Sequence, residues 1–159
     1  MCDRFAWLRG LPNLADVRLS FNEPVGAAGR TESLVAGLQC CTNIRTLVFI
    51  NGSDLTTENL AAVLPSLPQL QKLYLHRLLI DSLSFLAQPP MTEQLIKLSL
   101  EDCAQLPLAE LRHVHALRGL KKLGLCQSFT APLDETTRSL FEPPSAALPQ
   151  LELFECIGR

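Results

Sequence analysis

Leu95-Ile96-Lys97-Leu98-Ser99-Leu100 spells an apolar stencil, Leu-x-x-Leu-x-Leu, that returns along the whole chain. The other copies are Leu14-x-x-Val17-x-Leu19, Ile44-x-x-Leu47-x-Phe49, Leu70-x-x-Leu73-x-Leu75, Leu120-x-x-Leu123-x-Leu125 and a weaker Leu151-x-x-Phe154-x-Cys156. Their central residues stand at 17, 47, 73, 98, 123 and 154, so the steps are 30, 26, 25, 25 and 31 residues. A period of this length marks stacked supersecondary units, none of which can bury its apolar face alone. In Leu-x-Leu, alternate side chains point to one face of a strand. The two apolar positions therefore face inward, the residue between them faces outward, and the Leu three residues upstream closes the layer from the loop side.

Helical patterns with start signals lie between the strands. Thr31 precedes the stripe Leu34, Val35, Leu38. Thr57 precedes Leu60, Val63, Leu64 and Leu67, with Glu58 in the first turn, where the helix dipole favours an anion. Asp81 precedes Leu83 and Leu86, Pro107 opens a stretch through Leu108, Leu111 and Val114, and Asp134 precedes Leu140 and Phe141. Pro65, Pro68, Pro89, Pro90, Pro143 and Pro144 cut these helices off.

Alternating strands and helices also build a doubly wound domain, but both faces of that sheet are covered and its strands are near-continuously apolar. Here the outward strand positions are Arg18, Val48, Tyr74, Ser99, Gly124 and Glu155, mixed and partly polar. One sheet face thus meets solvent. The prediction is an α/β chain, one domain over residues 1–159, built as a solenoid. It has a curved parallel sheet of about six strands on the concave face and helices on the convex face.

The stretches LPNLADVRLSFN, LPQLQKLYL, LIKLSLEDC and LKKLGL resemble the leucine-rich repeat family. The copy extended to Leu95-x-x-Leu98-x-Leu100-x-x-Cys103-x-x-Leu106 is similar to the cysteine-containing repeats of many F-box proteins. Asn22 fills the Cys103 slot in the first copy, while Gly52, Leu78 and Ser128 depart from the pattern there. Unit lengths fall between the cysteine-containing and ribonuclease-inhibitor-like varieties. The resemblance implies a leucine-rich-repeat solenoid that binds a protein, in one version as the substrate-recognition arm of a ubiquitin ligase. Alternatives are a GTPase activator, with Arg18, Arg77 and Asn22 as candidate residues, and a receptor-type ectodomain. The ectodomain's usual repeats of about 24 residues and flanking disulfide caps have no counterpart here. Phe5, Trp7 and Leu8 read as the tail of a helix from an earlier unit, and the chain stops just after a strand. The expectation is an excerpt of a longer array lacking both polar caps.

Composition narrows the function. The chain is 47% hydrophobic, enough to bury a core. Fourteen Lys plus Arg against 16 Asp plus Glu leave a net charge of −2, with no global pull toward nucleic acid or anionic membrane. No apolar run approaches the ~18 residues of a membrane helix, and MCDRFAWLRG is not a secretory signal. Cys2, Cys40, Cys41, Cys103, Cys126 and Cys156 are expected to be free thiols, and a cytoplasmic or nuclear rather than secreted location follows. Asn51-Gly52-Ser53 reads as a turn more readily than as a glycosylation site.

Stacking aligns equivalent residues into columns. Lys72, Lys97 and Lys122 form a basic column at the strand starts. Phe21, Val48, Ile50 and Tyr74 form an exposed apolar patch with His76 and Arg77 at its edge. These nine residues are the candidate partner-binding set. A solvated column of Lys and scattered surface apolars would look the same in a sequence. No metal or cofactor is expected: His113 and His115 are two apart in a predicted helix and point to different sides, there is no Cys-x-x-Cys, and no glycine-rich loop follows a strand. No catalytic set assembles; a Cys–His nucleophile pair, for instance Cys126 with His76, reads more readily as a small residue and a ring on a repeat face. The expected partner is another protein, not nucleic acid, a membrane or a small-molecule substrate.

Overall fold

A computed structural model describes residues 5–21, 30–103, 105–131, 134–139, 141 and 148–157. It is an α/β structure with one sheet of six parallel strands: β1 (Asp16–Ser20), β2 (Thr46–Ile50), β3 (Lys72–His76), β4 (Lys97–Glu101), β5 (Lys122–Cys126) and β6 (Leu153–Ile157). Their spatial order is their order in the chain. Register is the same at every step: Val17, Leu47, Leu73, Leu98, Leu123 and Phe154 lie side by side, one per strand. A strand whose buried face is defined by alternation cannot slip by one residue without turning that face to water, so the repeated stencil sets the register.

The inward residues Leu47, Leu73, Leu98, Leu123 and their partners Phe49, Leu75, Leu100 and Leu125 are buried, while the residues between them are half-buried or exposed. The upstream positions Ile44, Leu70, Leu95 and Leu120 are fully buried, as expected of residues that close the layer. Short helices bury Leu34, Leu38, Leu60, Val63, Leu111 and Val114 in the same cluster. They cover the inward face of the sheet and leave the outward face open.

These helices are α1 (Arg30–Gln39), α2 (Thr57–Val63), α3 (Met91–Gln94), α4 (Leu111–Val114) and α5 (Glu135–Ser139), with 3-10 turns at Ala6–Gly10, Leu64–Ser66, Ser84–Ala87 and Leu108–Glu110. Several differ from expectation. The cap of α2 is Thr56, not Thr57: Thr56 and Asn59 form a reciprocal capping box. Thr57 is left free to donate its hydroxyl to Asp81 at 2.7 Å. The Asp81 stretch makes only the 3-10 turn, because two prolines follow within a few residues and a new helix starts at Met91. Asp134 does cap α5, its Oδ1 accepting from the Thr137 amide at 2.7 Å. Leu140, Pro143 and Pro144 lie outside the described residues.

Each of four strands is followed directly by a residue of left-handed backbone: Asn51 (φ 59°), Arg77 (φ 54°), Asp102 (φ 56°) and Gln127 (φ 49°). The turn at Asn51-Gly52 belongs to this series. The conformation swings the chain off the sheet while keeping the amide in the ladder. Asn51 N–H donates to His76 O, Arg77 N–H to Glu101 O and Asp102 N–H to Cys126 O, at 2.8–3.0 Å. Asn and Asp tolerate this region, but longer side chains hold it at a cost of about 1 kcal/mol. Gln127→Val, with a branched Cβ, is expected to lower stability by about 1–2 kcal/mol, and Gln127→Gly to change it little. Urea midpoints of the two variants check this.

One residue after each of these, the Cys103 slot is filled differently in every unit. Cys103 is fully buried, and its thiol donates to Leu75 O at 3.4 Å and Glu101 O at 3.6 Å. Burial pushes its pKa up to about 11, so it stays a protonated donor at neutral pH. Ser128 repeats the local bond, donating to Cys126 O at 2.8 Å. At Gly52 a Cβ would stand 2.8 Å from Leu78 Cδ2, because the leucine of the next unit occupies the space that glycine leaves. Asn22 lies outside the described residues.

Candidate functional site: the outward face of the sheet

The outward residues form three columns. At the strand starts stand Asp16, Thr46, Lys72, Lys97, Lys122 and Leu153; in the middle Arg18, Val48, Tyr74, Ser99, Gly124 and Glu155; at the ends Ser20, Ile50, His76, Glu101 and Cys126 on β1 to β5. Constant register turns a one-dimensional repeat into this grid, because neighbouring strands are about 4.8 Å apart.

The structure brings Lys72, Lys97 and Lys122 side by side as direct register partners. Lys72 and Lys122 are exposed; Lys97 is half-buried, its Nζ 5.0 Å from the centroid of the Tyr74 ring. That cation–π contact pins both side chains across the β3–β4 boundary. Val48, Ile50 and Tyr74 lie together as half-buried neighbours on β2 and β3.

Phe21 corrects the sequence reading. It is 9% exposed, stacks on Phe49 with ring centroids 6.4 Å apart, and belongs to the core rather than to the patch. The pleat continues one residue past β1, so Val17, Leu19 and Phe21 share the inward side. The alternation Val17-x-Leu19-x-Phe21 carried that signal in the sequence.

At the strand ends, polar groups pair across strands. His76 Nδ1 is 2.9 Å from Glu101 Oε2, its register partner, and the Tyr74 and His76 rings are tilted neighbours at 6.4 Å. Arg77 Nε is 3.4 Å from Asp102 Oδ2. Below the lysine column Lys121 meets Glu152 at 3.0 Å. Such exposed pairs contribute little stability each, below about 1 kcal/mol, but they fix the charge pattern of the rim.

The remaining candidates are dispersed. Cys126 and His76 sit on β5 and β3 with β4 between them, roughly 10 Å apart at the backbone, and His76 is engaged by Glu101. Arg18 is exposed on β1, two strands from Arg77. His113 turns to Glu110 and His115 to the Phe141 ring at 5.2 Å, so the two histidines serve separate contacts. Among the described residues no three His, Cys, Asp or Glu side chains group as a metal site, Cys40, Cys41, Cys103 and Cys156 are free thiols, and no helix is long and apolar enough to cross a membrane.

One functional group was not found in the sequence. Glu110 is buried on the helix side, where its Oε2 accepts from Ser82 Oγ at 2.6 Å and from the Leu83 amide at 2.9 Å. Arg112 and His113 stand 3.5 Å from the carboxylate. It caps, from the following unit, the 3-10 turn that starts at Ser84. These contacts hold its carboxyl below the ordinary range, the Ser82 bond being the largest cause. No family model matches the chain, and no curated protein matches it either.

Proposed function

We propose that this chain is a protein-interaction scaffold of the leucine-rich-repeat solenoid type that holds a partner protein on the outward, concave face of its sheet. The observation that carries the reading is the grid itself. Six strands in unbroken register present aligned side chains on one open face, while α1, α2, α3 and α4 bury their apolar residues in the core against the other. A rigid surface with aromatic, aliphatic and basic residues in fixed columns suits recognition, since Tyr anchors and apolar clusters dominate binding energy. The buried Cys103 thiol, donating to a carbonyl of the preceding strand, supports the likeness to cysteine-containing repeats. With that likeness comes the version in which the bound protein is delivered to a ubiquitin ligase inside the cell. Free thiols at Cys40, Cys41, Cys103 and Cys156 agree with a reducing compartment.

A photo-cross-linking amino acid placed at Val48 or Ser99 on the outward face, and at Ala62 on α2, tests the reading in cells. Capture of the same protein from Val48 and Ser99 but not from Ala62 is the expected result. Tyr74→Ala should then weaken binding of that protein by about tenfold or more, the loss of one hot-spot side chain. Capture from Ala62 alone would refute the reading.

A further inference from the structure

The outward face differs between its two halves. Over β2 it is aliphatic, with Val48 and Ile50; over β3 to β5 it is basic at the strand starts, and beyond Tyr74 on β3 it is bare in the middle of β4 and β5. Consecutive lysines of the column stand about 4.8 Å apart at the backbone, and like charges directly opposite one another destabilise a sheet. Among the described residues neither Lys72 nor Lys122 has an acidic partner; of the acids nearby, Glu101 is engaged by His76, Asp102 by Arg77 and Glu152 by Lys121, while Glu155 stands exposed on β6 opposite Gly124, at the edge of the strip. A chain of net charge −2 therefore concentrates uncompensated positive charge on one strip.

A second observation is independent of charge. The middle column shrinks from Tyr74 to Ser99 to Gly124 in three neighbouring strands. Glycine inside a strand weakens it and marks places where another backbone approaches closely. A Cβ at Gly124 would lie 3.2 Å from Ser99 Oγ, a tight contact that a small shift of this short side chain, which makes no hydrogen bond among the described residues, would relieve.

Building on the interaction reading above, we propose that this strip receives an acidic helix of the partner protein, lying across β3, β4 and β5 with its carboxylates on Lys72, Lys97 and Lys122. Side chains on one face of a helix recur about every 5–6 Å, close to the strand step. Same-side residues of an extended segment are about 6.6–6.8 Å apart and outrun the column by its third lysine. The short side chains of Ser99 and Gly124 let the helix backbone settle over β4 and β5, with Tyr74 as the wall toward β2. Net charge and the absence of exposed aromatics beyond Tyr74 on these three strands disfavour nucleic acid, which needs stacking platforms as well as cations.

The test uses the full chain and a fluorescein-labelled helical peptide of about 16 residues, alanine-based, with Glu repeated at helical spacing, against the same peptide with Gln. Fluorescence anisotropy at low salt is expected to show binding of the Glu peptide alone, lost near 0.5 M salt, where the screening length falls to about 4 Å. The triple variant Lys72→Gln, Lys97→Gln, Lys122→Gln should bind about tenfold more weakly, three surface ion pairs lost. Gly124→Leu, which leaves every charge in place, should weaken binding as much by filling the bare strip. Lys122→Glu should raise Tm by about 1–3 °C, because it replaces a like-charge neighbour of Lys97 with an opposite one, while lowering affinity. No binding of the Glu peptide, unchanged binding by the triple variant, or tighter binding of a single-stranded oligouridylate would overturn the acidic-helix assignment. If the peptide fails while Val48 and Ser99 still capture a protein, only this assignment falls. If outward capture also fails, the interaction reading falls with it.

Discussion

Replacing Glu110 by alanine is expected to lower folding stability by about 3 kcal/mol, although the residue lies far from the open face. A hydrogen bond to a charged acceptor contributes about 1.5–3 kcal/mol, and removing the acceptor leaves a buried donor unpaired. Here the Leu83 amide, in a fully buried residue, loses its 2.9 Å partner, and the Ser82 hydroxyl loses one at 2.6 Å. Glu110→Gln keeps the shape and one accepting oxygen but loses the charge, so about half that effect is expected. The pH dependence separates charge from packing. The Ser82 bond and the Leu83 amide hold the folded carboxyl below its ordinary value of 4.5. A depressed folded pKa contributes stability that is complete above the unfolded value and fades as pH falls through the folded one. Urea unfolding of the native chain and of Glu110→Gln from pH 7 downward should therefore give a gap that is constant above about pH 5 and narrows below it. A gap independent of pH would show that the charge is immaterial.

Leu98→Ala is expected to cost about 3–4 kcal/mol, within the range for truncating a well-packed leucine. Leu98 is fully buried on the inward face of the sheet, between Leu73 and Leu123. Strands on both sides are held in register, so the cavity has little means of collapsing, and the cost belongs near the upper half of the range. Ser99→Ala, one residue along the same strand, should change stability by less than about 0.5 kcal/mol because that side chain faces outward. Equal losses at the two positions in chemical unfolding would contradict the assignment of inward and outward faces.

Much of the architecture was legible before the structure. The stencil placed the inward leucines, the closing residues Ile44, Leu70, Leu95 and Leu120, and the step from strand to strand, because alternation and period are local properties of a chain. Helix starts were read to within a residue or two. Thr56 rather than Thr57 caps α2, since adjacent threonines offer the same hydroxyl and only the bond to Asn59 tells them apart. The Asp81 stretch has a cap and apolar residues but too few positions before Pro89 and Pro90 to complete a helix. Phe21 was misplaced because it was grouped with the residues that follow the other strands. In those units that residue turns left-handed; in the first, the pleat runs on and the ring goes inward.

The candidate site was legible as columns but not as chemistry. The lysines, Val48, Ile50 and Tyr74 follow from counting. The contact of His76 with Glu101, the Lys97 ammonium over Tyr74 and the bareness at Ser99 and Gly124 depend on which strands are neighbours.

The sequence by itself determined the α/β alternation, the inward face and the register, because apolar residues at period 2 within strands and about 25–30 between them admit one burial pattern. Only the tertiary structure decided what residues far apart in the chain do to one another. Glu110 caps a turn 27 residues upstream, Cys103 donates to a carbonyl 28 residues upstream, and three lysines share one strip. Such pairings have no local signature: a carboxylate, a thiol or an ammonium has the same propensity alone or opposite a partner, and only packing strands about 4.8 Å apart brings the partners together.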